Sequence, residues 1–439
     1  MNYRETVEYL FNATPVFERI GAGAYKEGLS NSLALDSHFG HPHRSFKSIH
    51  VAGTNGKGSV SHTLASILQA SRLKVGLYTS PHLVDFRERI KVNGQCISEE
   101  WVVAFVENER HFFEPLHPSF FELTTAMAFK YFAEQEVDVA VVEVGLGGRL
   151  DCTNIITPEL SIITNISFDH TQFLGNTLEA IAQEKAGIIK TGVPVVIGES
   201  TPETRPVFTD KAKEMDAPIF FAEECDLTSI WGKETNQVWQ AGNQDIADLF
   251  DFELKGSYQE KNKRTILCAS KLLGLSEEAI RDGMANVCER TGLMGRWQSL
   301  CQHPLVICDT GHNVGGWEYL SKQIKQQECR TCRIVFGMVD DKDIEKVMDL
   351  LPCDAEYYWT QASSHRAIPH STVRSYGNRH GLKGQSYPSV KEAFQQAMND
   401  ASADDFIFVG GSSYVVADLL ANVCPDKTHP IGTDLHSNA

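Results

Sequence analysis

The chain is expected to fold as two α/β domains, each a largely parallel sheet covered by helices. Three observations carry that expectation: a length of 439 residues, strand-length apolar runs alternating with helical patterns, and polar clusters just past those runs. One hydrophobic core seldom serves so long a chain. Strands separated by helical crossovers pair in parallel and are buried on both faces, so they read as unbroken apolar runs.

In the first part these runs fall at 48–52, 74–79, 137–144, 160–165 and 193–198. A second series follows at 305–308, 333–337, 355–360 and 406–409. Between them Thr291-Gly-Leu-Met-Gly-Arg-Trp is short and glycine-bearing, which places the boundary near 295 and gives domains 1–295 and 296–439. Ahead of the first strand, the stretch 9–35 suggests a helical lead-in. The polar end of the chain, with Pro425 and Pro430, reads as a loose tail.

Composition excludes several classes of function. Hydrophobic content of 42% suits a globular protein, no run has the length to cross a bilayer, and the opening Met-Asn-Tyr-Arg-Glu-Thr lacks a signal-peptide core. A cytoplasmic protein is expected. The formal net charge of −17 argues against nucleic acid or an anionic membrane as a partner, because both demand a basic footprint. Eleven cysteines, an odd number spread through apolar segments, indicate reduced thiols rather than a disulfide framework. Cys329 and Cys332 have metal-ligand spacing, but no second pair completes four ligands, so a structural role is expected there.

Chemistry enters at residues 49 to 59, Ile-His-Val-Ala-Gly-Thr-Asn-Gly-Lys-Gly-Ser. An apolar strand running into a glycine-rich turn with one lysine and one hydroxyl is how a chain cradles polyphosphate. Gly53, Gly56 and Gly58 let backbone N–H groups crowd round phosphate oxygens, Lys57 supplies a point charge, and Ser59 can place its hydroxyl on Mg²⁺. The spacing is not the standard Gly-x-x-x-x-Gly-Lys-[Ser/Thr]. That pattern needs glycine at Val51 and a hydroxyl directly after Lys57, where Gly58 stands.

Other polar groups also fall just beyond strand ends: Ser80 after Thr79, Glu143 closing Val-Asp-Val-Ala-Val-Val, and Asp169-His170 after Ile-Ile-Thr-Asn. Open α/β sheets bind ligands at that edge, so residues far apart in sequence can share one site. Glu143 lies in an otherwise apolar strand, where a carboxylate is costly unless it meets a cation such as Mg²⁺ on ATP. Gly145, Gly147 and Gly148, with Arg149, Asp151 and Asn154, form a second loop open to close backbone approach. His170 is either a metal ligand or a structural histidine.

Lys185 shares one helical face with Leu178, Ile181 and Ala182. Either it is buried, with a more nucleophilic amine open to carbamylation by CO₂, or it snorkels from the rim of the stripe. In the second domain Asp309-Thr-Gly-His312-Asn313 again follows a strand, and Arg296 in the linker can reach a phosphate if the domains close.

These residues together resemble the folylpolyglutamate synthase/dihydrofolate synthase family of the Mur ligase superfamily, ATP-dependent amide-forming ligases. The resemblance runs almost end to end and is carried by Gly53-Thr-Asn-Gly-Lys-Gly-Ser59, Thr79-Ser-Pro-His-Leu83, Glu143-Val-Gly-Leu-Gly-Gly-Arg-Leu-Asp151, Asp169-His170 and Glu184-Lys-Ala-Gly-Ile-Ile-Lys190. It implies a P-loop-type Mur ligase central domain with a mostly parallel sheet, followed by a smaller Rossmann-like C-terminal domain. It further implies Mg²⁺ at two sites, held by Ser80, Glu143 and His170 and by Ser59, and a carbamylated Lys185. ATP contacts would come from Asn55, Gly56, Lys57, Gly58 and Ser59, then from Asn262, Arg296 and Asp309. Lys57, His170 and Lys185 are the candidate catalytic residues. The pterin end would lie near Phe121, Glu122, Leu150, Asp151 and Cys152, and incoming L-glutamate near His312 and Ser412.

Three departures from the family's pattern are Tyr258 for histidine, Val314 for the proline of His-Asn-Pro, and Cys152 for alanine. The implied reaction joins L-glutamate to dihydropteroate, to a folate γ-carboxylate, or to both, and a monomer is expected. Two other readings compete. A ligase of UDP-linked cell-wall precursors would need a uridine-binding N-terminal domain, for which the lead-in leaves little room. A P-loop ATPase switch fits Glu143 and the second domain poorly.

Overall fold

The structure, a computed structural model, describes residues 1–14, 28–225, 227, 250–340 and 342–423. The polar tail and the middle of the expected helical lead-in lie outside the described residues. The chain forms two compact units, Met1–Glu253 with Gln259–Leu293, and Leu254–Tyr258 with Met294–Ala439. That Leu254–Tyr258 belongs to the second unit has no signature in the sequence.

In the first unit the strands are β1 Lys47–Ala52, β2 Val75–Tyr78, β3 Ile90–Val92, β4 Gln95–Cys96, β5 Val139–Glu143, β6 Leu160–Ile163, β7 Val195–Ile197 and β8 Ile219–Phe221. They lie in the order β4-β3-β2-β5-β1-β6-β7-β8. Pairing is parallel from β2 to β8, and β3 and β4 add on antiparallel. The central strands are buried along nearly their whole length, since helices cover both faces. Hence the five apolar runs of the sequence locate β1, β2, β5, β6 and β7. The other three were not anticipated. β3 and β4 form a hairpin through Asn93 and Gly94, both at positive φ, and β8 is a half-buried edge strand.

Helices begin where side chains can cap them. Ser98 caps Glu99–Phe113, Ser119 caps Phe120–Glu134 and Thr177 caps Leu178–Ala186, each accepting from a backbone N–H of the first turn. The lead-in is represented by helices Tyr3–Ala13 and Ser30–His38. Helix Lys57–Ala70, which leaves the phosphate loop, is buried from Ser59 to Leu68. Such a helix is enclosed on every side. Part of its cover is helix Glu277–Ala285, where Ser66 Oγ donates to the Gly283 carbonyl at 2.7 Å.

The second unit has β9 Gln298–Gln302, β10 Leu305–Asp309, β11 Cys332–Phe336, β12 Glu356–Trp359, β13 Gly384–Ser386 and β14 Phe406–Gly410. Their order is β13-β12-β11-β14-β10-β9, parallel throughout except for β9. Its core is aromatic: Trp317 packs edge-on against Phe336 and Phe408, and Tyr357 stacks on Trp359 at 4.4 Å. The edge strands β9 and β13 are polar, and the sequence reading passed over both. Among the described residues no helix is long and apolar enough to cross a membrane.

The packing behind the phosphate loop yields a first prediction. A Cβ on Gly283 would lie 2.4 Å from Ile67 Cα, a backbone atom that cannot move aside. Alanine gains roughly 0.5–1 kcal/mol over glycine inside a helix. Overpacking costs about 1–3 kcal/mol. Gly283→Ala should therefore lower stability, by up to about 2 kcal/mol, in urea unfolding. An unchanged or raised midpoint would contradict this packing.

Candidate active site

The phosphate loop is shaped by two close approaches. Gly53 has φ +148°, and a Cβ there would fall 1.8 Å from Thr164 Oγ1. Gly56, at φ +86°, faces Asn262, whose Oδ1 would sit 2.3 Å from an added Cβ. Only glycine fits either position. The loop is then tied to the end of β6: Thr54 N donates to Asn165 O and Asn55 N to Asn165 Oδ1, both at 2.9 Å, while Thr164 Oγ1 donates to Asn55 O at 2.6 Å. Helix Lys57–Ala70 starts at once, so its first N–H groups and Lys57 point at the same place. Lys57 Nζ donates to the Gly53 and Thr54 carbonyls at 3.1 and 3.2 Å. Ser59 is buried and its Oγ accepts from Gln259 Nε2 at 3.0 Å.

Strands β2, β5, β1 and β6 are neighbours and run parallel, so their carboxyl ends share one edge. Ser80 follows β2, Glu143 ends β5, the phosphate loop leaves β1, and Asp169-His170 follows β6. The convergence expected from sequence is thus present in the topology. Glu143 is buried, and its Oε2 accepts from Ser80 N at 3.1 Å, which joins two of the candidate metal ligands directly. His170 takes a left-handed backbone with φ 49°, its N–H bonded to Asp169 Oδ1 at 2.9 Å and its Nε2 3.9 Å from the same oxygen. Mg²⁺ takes one or two carboxylates, with waters and phosphate oxygens supplying the rest. One carboxylate and a hydroxyl suit that preference and an imidazole can complete the set, so Glu143, Ser80 and His170 are the residues that could hold one ion, and Ser59 a second on the phosphate side.

Lys185 is 4% exposed, so the snorkelling alternative does not hold. Burial, then the charge of Lys57, lowers its amine to about 7, and Asp169 and Asp151 only partly oppose this. The helix carrying it is pressed against the second glycine loop: a Cβ on Gly148 would lie 3.0 Å from Lys185 Cα. Arg149 N donates to Glu184 O at 2.8 Å, and Asn154 Nδ2 to the Arg149 and Gly187 carbonyls at 3.0 Å.

Next to this loop are the residues expected at the pterin end. Phe121 stacks on Tyr78 and packs against Gly145. Glu122 accepts from Ser119 N at 2.6 Å, and Asp151 accepts from Leu146 N at 2.9 Å and Thr153 N at 3.0 Å. Both carboxylates therefore organise backbone. Leu150 is half-buried, and Cys152, with a thiol pushed well up by burial, lines a small crevice with Glu122, Thr125, Ser32 and Asp36.

In the second unit, Asp309 ends β10 and is buried. Its carboxylate accepts from Tyr258 OH at 2.6 Å, Trp297 N at 2.7 Å and Gly311 N at 2.8 Å. Arg296 bonds through Nη1 to Thr310 Oγ1 and to the Gly295 carbonyl. His312 Nδ1 lies 3.0 Å from Thr310 O, and Ser412, just past β14, accepts from Val415 N at 3.2 Å. Since β10 and β14 are adjacent and parallel, His312 and Ser412 also share a sheet edge.

Sequence reasoning passed over three contributors. Gln259 bonds both Ser59 and Asn262, the latter's Nδ2 donating to Gln259 Oε1 at 2.8 Å. Thr164 props the phosphate loop. His50, fully buried in β1, meets Thr153 Oγ1 at 2.8 Å and is lowered to about 3, first by burial and then by Lys190. A histidine inside an apolar strand was the available signal for the last.

Comparison with known proteins shows the family. Residues 51–262 match the Mur ligase middle domain and residues 295–413 the Mur ligase glutamate ligase domain. Folylpolyglutamate synthase of Lacticaseibacillus casei is 33% identical over 449 residues, covering 98% of this chain and 100% of that one. Dihydrofolate synthase/folylpolyglutamate synthase of Bacillus subtilis is 37% identical over 414 residues, covering 90% and 94%. Among solved structures, E. coli FolC in complex with DHPP and ADP superposes with a TM-score of 0.82 at 30% identity, covering 97% and 98%. The Yersinia pestis bifunctional enzyme with Mn, AMPPNP and L-glutamate bound gives 0.79 at 29%, covering 96% and 98%. By these matches the chain belongs to the folylpolyglutamate synthase/dihydrofolate synthase family of ATP-dependent ligases, on a two-domain Mur ligase fold.

Proposed function

We propose that this enzyme joins L-glutamate to the carboxylate of dihydropteroate, of a folate γ-glutamyl group, or of both. The substrate carboxylate attacks the γ-phosphorus of ATP, ADP leaves, and an acyl phosphate forms. The free amine of glutamate then attacks the acyl carbon, inorganic phosphate departs, and the amine loses a proton. The observation that carries this reading is the gathering of Lys57, Ser80, Glu143 and His170 at the carboxyl ends of four adjacent strands. Positioning and charge neutralisation are the main demands of phosphoryl transfer, and that edge offers both.

Within this reading each residue has a task. Backbone N–H groups of Asn55, Gly56 and Gly58 cradle phosphate, and Lys57 turns from its loop carbonyls onto the transferring group. Ser80, Glu143 and His170 would hold one Mg²⁺ and Ser59 a second on the phosphate side, and bound metal would neutralise phosphate charge and polarise the acyl oxygen. From the second unit Arg296 and Asp309 contact the nucleotide, with Asn262 beside Gly56. Phe121, Glu122, Leu150, Asp151 and Cys152 face the pterin, while His312 and Ser412 take glutamate. The Yersinia pestis relative with L-glutamate bound supports a glutamate site in the family. A cytoplasmic setting suits a chain whose described cysteines are all free thiols. Neither the cell-wall ligase nor the ATPase switch has comparable support.

Carbamylation of Lys185 fits the same electrostatics. Lys57 disfavours a second ammonium at Lys185 and favours a carbamate anion there. With the amine at about 7, its neutral, CO₂-reactive form dominates above pH 7 and falls away below it. Reactivation of decarbamylated enzyme at a fixed concentration of dissolved CO₂ should accordingly slow as pH drops through 7. Lys185→Ala should cut ligation about 100-fold or more, with partial rescue by short-chain carboxylic acids. Unchanged activity in that variant would remove the carbamate from the mechanism.

The reaction itself is tested by ADP release from purified protein with ATP and Mg²⁺. Release should require both L-glutamate and dihydropteroate or a reduced folate. Absence of release with either pterin, or turnover independent of glutamate, would discard the proposed reaction.

A further inference from the structure

Lys91 lies on β3 of the hairpin appended to the main sheet, yet it is only 3% exposed. Its Nζ donates to the carbonyl of Thr291 at 2.6 Å and to that of Gly292 at 3.4 Å. Its hydrogen bonds go to these carbonyls, and the Glu88 carboxylate adds an electrostatic attraction. A buried ammonium is costly unless well bonded, and the end of a helix, with its unpaired carbonyls and negative dipole, is a place that bonds it. The helix concerned is Val287–Thr291, stopped by Gly292 at φ 63°.

Two further contacts grip the same residues. His62, on the second turn of the phosphate-loop helix, places Nδ1 2.8 Å from Thr291 Oγ1. That hydroxyl donates to Val287 O at 2.6 Å, so the imidazole N–H is the donor to it. Gly94, at φ +76° in the turn after β3, passes so close that a Cβ would lie 1.9 Å from Arg290 O. Thr291 is completely buried by these neighbours. Leu293 is the last residue of the first unit, and Arg296 follows three positions later.

Resting on the reading of Arg296 as a nucleotide contact, we propose that Lys91 and His62 are positioning residues which clamp Thr291 and Gly292. They fix the point where the chain leaves the phosphate-loop unit, and hence where the segment bearing Arg296 begins. His62 belongs to the helix that starts at Lys57, so the clamp refers that exit point to the phosphate loop itself. A clamp needed only for folding would lower stability and leave the turnover of the folded enzyme unchanged.

The test uses full-length Lys91→Met, Thr291→Val and Lys91→Arg, each alone and combined with Arg296→Ala. Thr291→Val keeps the side-chain shape and loses the contact with His62, so it carries the test should Lys91→Met fail to fold. Expected are a loss of kcat of about tenfold or more for the first two, with KM for the pterin little changed, and substantial recovery in Lys91→Arg. In the Arg296→Ala background the same substitutions should add almost nothing further. A kcat within about twofold of the unsubstituted enzyme, once corrected for folded fraction, overturns the clamp, as do losses that multiply with that of Arg296→Ala. If Arg296→Ala alone leaves activity intact, the reading of Arg296 fails instead, and the kcat of the clamp variants still decides the clamp.

Discussion

Parallel strands that lie side by side finish at the same edge, and the candidate active site depends on that constraint. In the order β2-β5-β1-β6, four segments drawn from residues 75 to 163 end together, so a hydroxyl, a carboxylate, a phosphate loop and an imidazole arrive at one place. No long loop is needed to gather them. The closeness is enforced at Gly53, where the loop leaving β1 crosses the Thr164 side chain at the end of β6 with no room for a Cβ. Any residue but glycine there would push the phosphate loop off its neighbour and separate Lys57 from the rest.

Charge balance at this edge explains its chemistry. An ordinary protein interior would reject Glu143, Lys185 and Asp151 alike, yet all three are nearly inaccessible here. Asp151 is satisfied by backbone N–H groups of its own glycine loop, which makes that loop rigid. Glu143 is bonded to Ser80 N, and in the proposed function it meets a cation. Lys185, lowered to about 7, stands between the two lysine chemistries of cation and nucleophile. In a strongly acidic chain, a polyanionic nucleotide at this edge would have to be offset locally, by Lys57, by backbone N–H groups of the phosphate loop and by Mg²⁺.

Most of this was legible in the sequence because its signals are local. The central strands are continuous apolar runs, and the polar residues fall directly after them. Glycine spacing at 53, 56 and 58 marked the phosphate loop, and the helical face shared by Lys185 with Ile181 announced an odd lysine. What escaped was of two kinds. Edge strands β9 and β13 carry little apolar signal because one side meets water, β8 is apolar but only three residues long, and β3 was overlooked although Asn93-Gly94 is a hairpin signature. Long-range partnerships were also invisible: nothing local to Gln259 points at Ser59 200 positions away, or to Lys91 at Thr291. The membership of Leu254–Tyr258 in the second unit is of the same sort, since it depends on Tyr258 finding Asp309.

Anomalous diffraction from crystals of the enzyme grown with Mn²⁺ and a non-hydrolysable ATP analogue tests the account most directly. A manganese peak bonded to Glu143, His170 and Ser80, with the triphosphate wrapped by residues 53–59, is the predicted result. A peak remote from those side chains, or a triphosphate bound elsewhere, would contradict the claim that this sheet edge is where the chemistry happens.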